Sequence, residues 1–233
     1  MFHNNQEGRV MKQRYDGEQT KEEILMTAGM LFNKYGYKKT SIPMIVNQLD
    51  GLTKGAIYYH FNSKEAILDE LMRHFMPSEE VITNIRNNEQ LNGLEKIQEL
   101  FLNAMFHQDV QKYLPFSPNL TKEPLLSLKY LKITQDVFIP EITYLIKEGN
   151  QDKSLDVIHP ETISEIILFL LTTWYNTTLF TNSLDNFYQK METSQYVLEK
   201  IGINILDEKV LNIIKQQINQ GIEEMKHEES TKN

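Results

Sequence analysis

Between Thr20 and Phe75 the sequence sets four helix-starting signals and two glycine turns, and this punctuation confines the segment to four short helices. Thr20 with Glu23 has the pattern of a capping box, after which Ile24, Leu25, Ala28, Leu31, Phe32 and Tyr35 recur on one stripe until Gly36. Ser41 can cap a second helix, with Pro43 in the first turn, where its absent N–H has no partner to lose. Ile42, Ile45, Val46 and Leu49 form its inward face. Asp50-Gly51 is a turn, and Thr53 then caps a third helix of about two turns that ends near His60. Asn62, three residues ahead of Glu65, opens a fourth helix buried through Ile67, Leu68, Leu71 and Phe75. Four capped segments with a tight turn between the middle two are the layout of a helix-turn-helix module.

Helical spacing of apolar residues continues to the carboxy end, and with 10 Gly and 7 Pro in 233 residues little interrupts it. Helices are predicted near 78–89, 93–113, 122–136, 138–149, 160–182, 193–205 and 208–227, with loops over 113–119 and 149–152. The expected fold is all-α. A flexible tail (1–19) precedes a helix-turn-helix DNA-binding domain (20–75), and a larger helical domain (76–233) follows from about Pro77.

Several classes drop out. The chain has no cysteine, which excludes disulfides and thiolate metal sites and suits a cytoplasmic protein. His3, His60, His74, His107, His159 and His227 have no metal-ligand spacing, and there is no glycine-rich phosphate loop or nucleophile motif, so no enzyme, metal or cofactor is expected. The polar amino terminus has no signal-peptide core. The most apolar run, Ile166 to Tyr175, falls short of the roughly 18 residues a membrane span needs.

The net charge of -8 is uneven: between residues 34 and 64, Lys34, Lys38, Lys39, Lys54 and Lys64 meet only Asp50. A short third helix presenting its amino end to a major groove has few side chains to use. Lys54 is either a base-edge donor, best matched to guanine, or a solvated lysine; Ala56 can offer an apolar contact to a thymine methyl. Gly55 either lets the backbone approach the duplex closely or relaxes the helix start. Tyr58 and Tyr59 are adjacent on a helix, so at least one is exposed, whereas Ile57 and Phe61 are core. His60 is a duplex contact or a packing residue, and Ser41 a backbone contact or only a cap.

The segment from Lys39-Thr40-Ser41-Ile42 through Thr53-Lys54-Gly55-Ala56-Ile57-Tyr58-Tyr59-His60-Phe61-Asn62-Ser63-Lys64-Glu65 closely resembles the amino-terminal signature of TetR-family regulators, a likeness covering about residues 20–75. The resemblance implies a homodimeric transcriptional repressor on double-stranded DNA, and assigns ligand binding and dimerisation to the larger helical domain (76–233). Its DNA-binding residues would be Thr40, Ser41, Thr53, Lys54, Gly55, Ala56, Tyr58, Tyr59, His60 and Lys64, with both tyrosine hydroxyls on phosphates. Two departures stand out: the turn over Asn47–Leu52 is one residue longer than the usual pattern and carries Asp50, and Val46 replaces a small alanine.

In the larger domain Phe101, Met105, Phe106, Tyr130, Phe138, Tyr144 and Trp174 are either lining for a small-molecule inducer or ordinary core. Ile166 and Leu170, with Ile214 and Ile218 of the last helix, are the expected dimer interface, and two-fold symmetry implies a near-palindromic operator. The alternatives are a TetR-like protein marking chromosomal sites for cell division and a helical adaptor without DNA specificity.

Overall fold

The computed structural model describes the backbone of residues 4–116, 122–176, 179–180 and 183–231, and the side chains of those from 17 to 224. Its helices are α1 (Asn4–Tyr35), α2 (Ile42–Val46), α3 (Lys54–His60), α4 (Lys64–Arg73), α5 (Glu79–Arg86), α6 (Gly93–Phe106), α7 (Gln108–Tyr113), α8 (Pro124–Asp152), α9 (Pro160–Leu171), α10 (Leu184–Lys200) and α11 (Glu208–Thr231). Two 3-10 turns, Leu114–Phe116 and Thr173–Tyr175, complete the order. The described residues include no strand, as an all-α fold requires, and no helix among them is long and apolar enough to cross a membrane.

Local chemistry sets many of the boundaries. Gly36 (φ 84°) closes α1 with its N–H on Phe32 O at 2.9 Å, and Gly51 (φ 76°) turns the chain into α3. Elsewhere the observed elements differ from those the pattern predicts. The first helix begins at Asn4, so residues 4–19 are helix where a flexible tail is expected. That stretch holds no proline, and Glu23 is engaged by Gln19 Nε2 at 3.2 Å instead of capping Thr20. The cap of α4 is Ser63, which accepts from Ala66 N at 3.0 Å, not Asn62.

The expected helix 93–113 breaks at His107, whose Nδ1 accepts from Asp109 N at 3.3 Å and so starts α7. Conversely, 122–136 and 138–149 fuse with the expected 149–152 loop into the single helix α8. Pro140, the one proline in its interior, lies on the exposed side of the helix. The helix expected over 160–182 stops at Leu171; the expected 113–119 loop is helical to Phe116, and its last three residues lie outside the described ones.

Two hydrophobic cores result. The first joins α1–α4 around Ile24, Phe32, Ile45, Ile57, Ile67 and Leu71, and also takes in Tyr113, Phe116 and Leu126 from beyond them. The second fills the body around Ile97, Phe138, Leu145, Ile167, Leu198 and Ile214. Within it α6 starts hard against α8: a Cβ on Gly93 would lie 2.5 Å from Gly149 Cα and 2.6 Å from Leu145 O. Backbone cannot step aside as a side-chain tip can, so Gly93→Ala is expected to destabilise the chain by about 1 to 3 kcal/mol. Urea denaturation checks this against Gly17→Ala, where the added methyl meets nothing within 4 Å and the midpoint should not fall.

Candidate nucleic-acid interface

The first core presents α3 as a short platform. Thr53 Oγ1 accepts from Ala56 N at 3.2 Å, Ile57 is fully buried, and Phe61 N–H returns to Ile57 O at 2.8 Å. One face is thereby pinned, and Thr53, Lys54 and Gly55 at the leading end are exposed together with Tyr58 and Tyr59. Tyr59 is 85% exposed, an unusual position for an aromatic ring unless something covers it. Both tyrosines are therefore outward. Lys54 Nζ lies 5.7 Å from the centre of the Tyr58 ring, and no carboxylate among the described residues pairs with Lys54. A Cβ at Gly55 would make only an ordinary 3.6 Å contact with Thr53 Oγ1, so the fold does not demand glycine there. That favours close approach of the backbone to a partner over relaxation of the helix start.

Ser41 is exposed and caps α2 through Met44 N at 3.4 Å. The longer turn is absorbed by successive tight bonds, Gln48 N to Ile45 O and Leu49 N to Val46 O, both 3.1 Å. His60 is half-buried beside Tyr59, and burial, with the Lys21 charge second, pushes its pKa below the ordinary value. Near neutral pH it supplies a neutral ring and no added positive charge.

Two of the expected contact residues are engaged within the protein itself. Thr40 is buried, its hydroxyl donating to Leu31 O at 3.2 Å and Gly36 O at 3.0 Å, so it ties down the end of α1 instead of facing a partner. Lys64 donates to Tyr37 O and Thr40 O, both at 2.8 Å, with its ammonium 4.2 Å from the Tyr37 ring centre. Two of its three donors are occupied in holding the α1–α2 connection, which is a structural role rather than that of an open surface cation. Lys39, in the basic 34–64 stretch, stands exposed two residues before the Ser41 cap.

In the body, Phe101, Met105, Tyr130 and Phe138 line a cavity of about 530 Å³ with Phe75, Met76 and Leu114 among others. Phe106, Tyr144 and Trp174 do not line it. Phe106 packs half-buried on the second core, half-exposed Tyr144 lies under Arg86, and the Trp174 carbonyl accepts from Lys190 Nζ at 2.8 Å. The expected dimer interface is likewise divided. Leu170 and Ile214 are buried in the chain's own core and Ile218 packs on it, because α9 and α11 each need an inward stripe to hold the body together. Ile166 remains 42% exposed, beside the exposed Phe169.

A capped, half-buried two-helix unit with a hydroxyl- and lysine-rich leading end defines a helix-turn-helix DNA-binding regulator. Residues 24–71 match the bacterial regulatory proteins of the tetR family. The HTH-type transcriptional repressor KstR2 of Mycobacterium tuberculosis is 28% identical over 146 residues, covering 58% of this chain and 70% of that protein. The A-factor receptor protein of Streptomyces griseus is 43% identical over 54 residues, 23% of this chain and 19% of its own. In overall fold the chain is similar to a gamma-butyrolactone receptor, an ArpA-like protein, with a TM-score of 0.56 at 18% identity over 88% of this chain and 99% of the other. The amino-terminal module of the chain is thus similar to that of tetR-family regulators.

Proposed function

We propose that the chain is a homodimeric, sequence-selective transcriptional repressor, released from a near-palindromic operator when a small apolar molecule enters the body cavity. The observation that carries the DNA reading is the exposed leading end of α3, with Thr53, Lys54, Gly55, Tyr58 and Tyr59 outward over the buried Ile57. Lys54 reads a base edge, Ala56 offers an apolar contact, and the tyrosine hydroxyls hold phosphates with Ser41 and Thr53 fixing the helix starts. Similarity to a protein named as a transcriptional repressor supports repression as the outcome. Two-fold pairing would set two α3 helices about 34 Å apart, one duplex turn.

The cavity supports an apolar effector. The hydroxyls of Thr134 and Thr172 in its wall already donate to Tyr130 O (2.9 Å) and Leu168 O (2.6 Å), and beside Lys122 and Asn176 most of the remaining lining is aromatic, leucine and methionine surface. Shifting a repressor from mostly bound to mostly free requires about 5.5 kcal/mol of differential binding, which favours a ligand that fills the space over one that touches a single wall.

Selection of duplexes from a random pool by the intact protein tests the proposal: enrichment of one near-palindromic sequence is expected, and no enrichment at any salt concentration refutes it. On the selected duplex, Lys54→Ala is expected to weaken binding and relax preference at one base position by roughly 1 to 3 kcal/mol. Tyr59→Phe should weaken binding to all sequences alike. Should Lys54→Ala leave the base preference intact, Lys54 is a phosphate contact, and the salt slope will be shallower by about 0.9 instead.

A further inference from the structure

The 3-10 turn Leu114–Phe116 faces two ways. In a helix of three residues per turn, Tyr113 and Phe116 fall on one face and Leu114 on another. Tyr113 and Phe116 are buried in the core of the DNA-binding module, where Tyr113 stacks on His74 at 4.4 Å between ring centres. Leu114 lines the cavity instead. Phe116 enters α1 through a notch. A Cβ on Gly29 would lie 2.7 Å from Phe116 Cδ2 and 2.9 Å from Cγ, so the ring occupies the space that any other residue would fill. Gly29 is buried on α1 between Ala28 and Phe32, and α1 shares with α2–α4 the core in which Ile57 is buried. Pro115, between the two contacts, stiffens the turn so that its residues move together.

We propose that Phe116 in the Gly29 notch is a latch through which occupancy of the cavity reaches the recognition helix. A molecule filling the cavity pushes Leu114 outward, the turn carries Phe116 from its notch, and α1 loses a support on which the position of α3 depends. The latch rests on the cavity being the effector site, and it makes Gly29 a position where the better helix former is the worse regulator.

The test uses the full chain, 1-anilinonaphthalene-8-sulfonate as the cavity probe, and amide hydrogen exchange of residues 54–60, which needs no operator. Saturating probe is expected to speed that exchange in the unmodified chain on the order of tenfold, within the usual range of coupling between sites. Gly29→Ala and Phe116→Ala should each show the fast exchange without probe. Because the chain has no cysteine, Gly29→Cys with Phe116→Cys can form only one disulfide within a chain; the oxidised form should bind probe and keep its slow exchange, and reduction, which leaves neither the glycine nor the ring, should give the fast exchange of the single variants with no probe present. Slow exchange in both single variants, or an unaltered response in the crosslinked chain, overturns the latch. A probe that fails to bind, or binds without moving α3, overturns its coupling to the cavity. A chain that behaves as expected here yet selects no duplex refutes the proposed function and leaves the latch standing.

Discussion

Ile57→Ala is expected to destabilise the amino-terminal module by about 2 to 5 kcal/mol, the range for removing most of a fully buried branched side chain from a packed core. The reason lies in the length of α3. Seven residues make too few internal hydrogen bonds to hold a helix unaided, so its position comes from the side chains beneath it. Ile57 is fully buried and Phe61 is 5% exposed; together they are the underside of the platform that carries Lys54, Tyr58 and Tyr59. Removing Ile57 leaves a cavity among Phe32, Ile45 and Ile67 and frees the leading end to reorient, so affinity for DNA falls with stability. Tyr59→Phe is the matched control, since at an exposed position stability should stay within about 0.5 kcal/mol. Urea denaturation and duplex affinity of both variants check the division; equal losses of stability would show that Tyr59 is a packing residue.

Arg86→Ala is expected to cost about 3 kcal/mol for a different reason, the stranding of a buried carboxylate. Glu141 of α8 is 4% exposed and receives Arg86 Nε at 3.0 Å and a second guanidinium bond through Nη2. Glu141 holds the Arg86 pKa above its ordinary value, which marks how strongly the pair favours its charged form. The expected loss sits at the low end for a broken buried pair because the Arg86 side chain is 42% exposed and water can reach the vacated space. Charge is the cause, so removing both charges should undo the damage. Arg86→Met with Glu141→Leu is expected to match the unmodified chain or exceed it in thermal midpoint. A double variant as unstable as Arg86→Ala would show that side-chain packing, not the stranded charge, joins α5 to α8.

The parts of the recognition unit that were legible are those whose chemistry closes within three or four residues. Ser41 and Thr53 cap the helices they precede, Gly36 and Gly51 take the left-handed conformations their turns need, and the i, i+4 pair Ile57 and Phe61 faces inward. Thr40 and Lys64 read equally well as surface residues, because a hydroxyl and an ammonium next to a cationic motif look the same whether they meet solvent or a carbonyl. Their partners, Leu31 O for Thr40 and the Tyr37 and Thr40 carbonyls for Lys64, lie 9, 27 and 24 residues away along the chain.

The amino-acid sequence by itself determined that the chain is helical, where the DNA-facing unit lies, and which residues stand at the front of its third helix, since helix period, capping and turn geometry are short-range forces. Tertiary packing decided which of two apolar faces each body helix turns inward, burying Leu170 and Ile214 and leaving Ile166 outside. It also decided which aromatics surround a cavity and which only fill the core. Burial is a relation between distant segments: Gly29 acquires a purpose only when Phe116, 87 residues later, is brought against it.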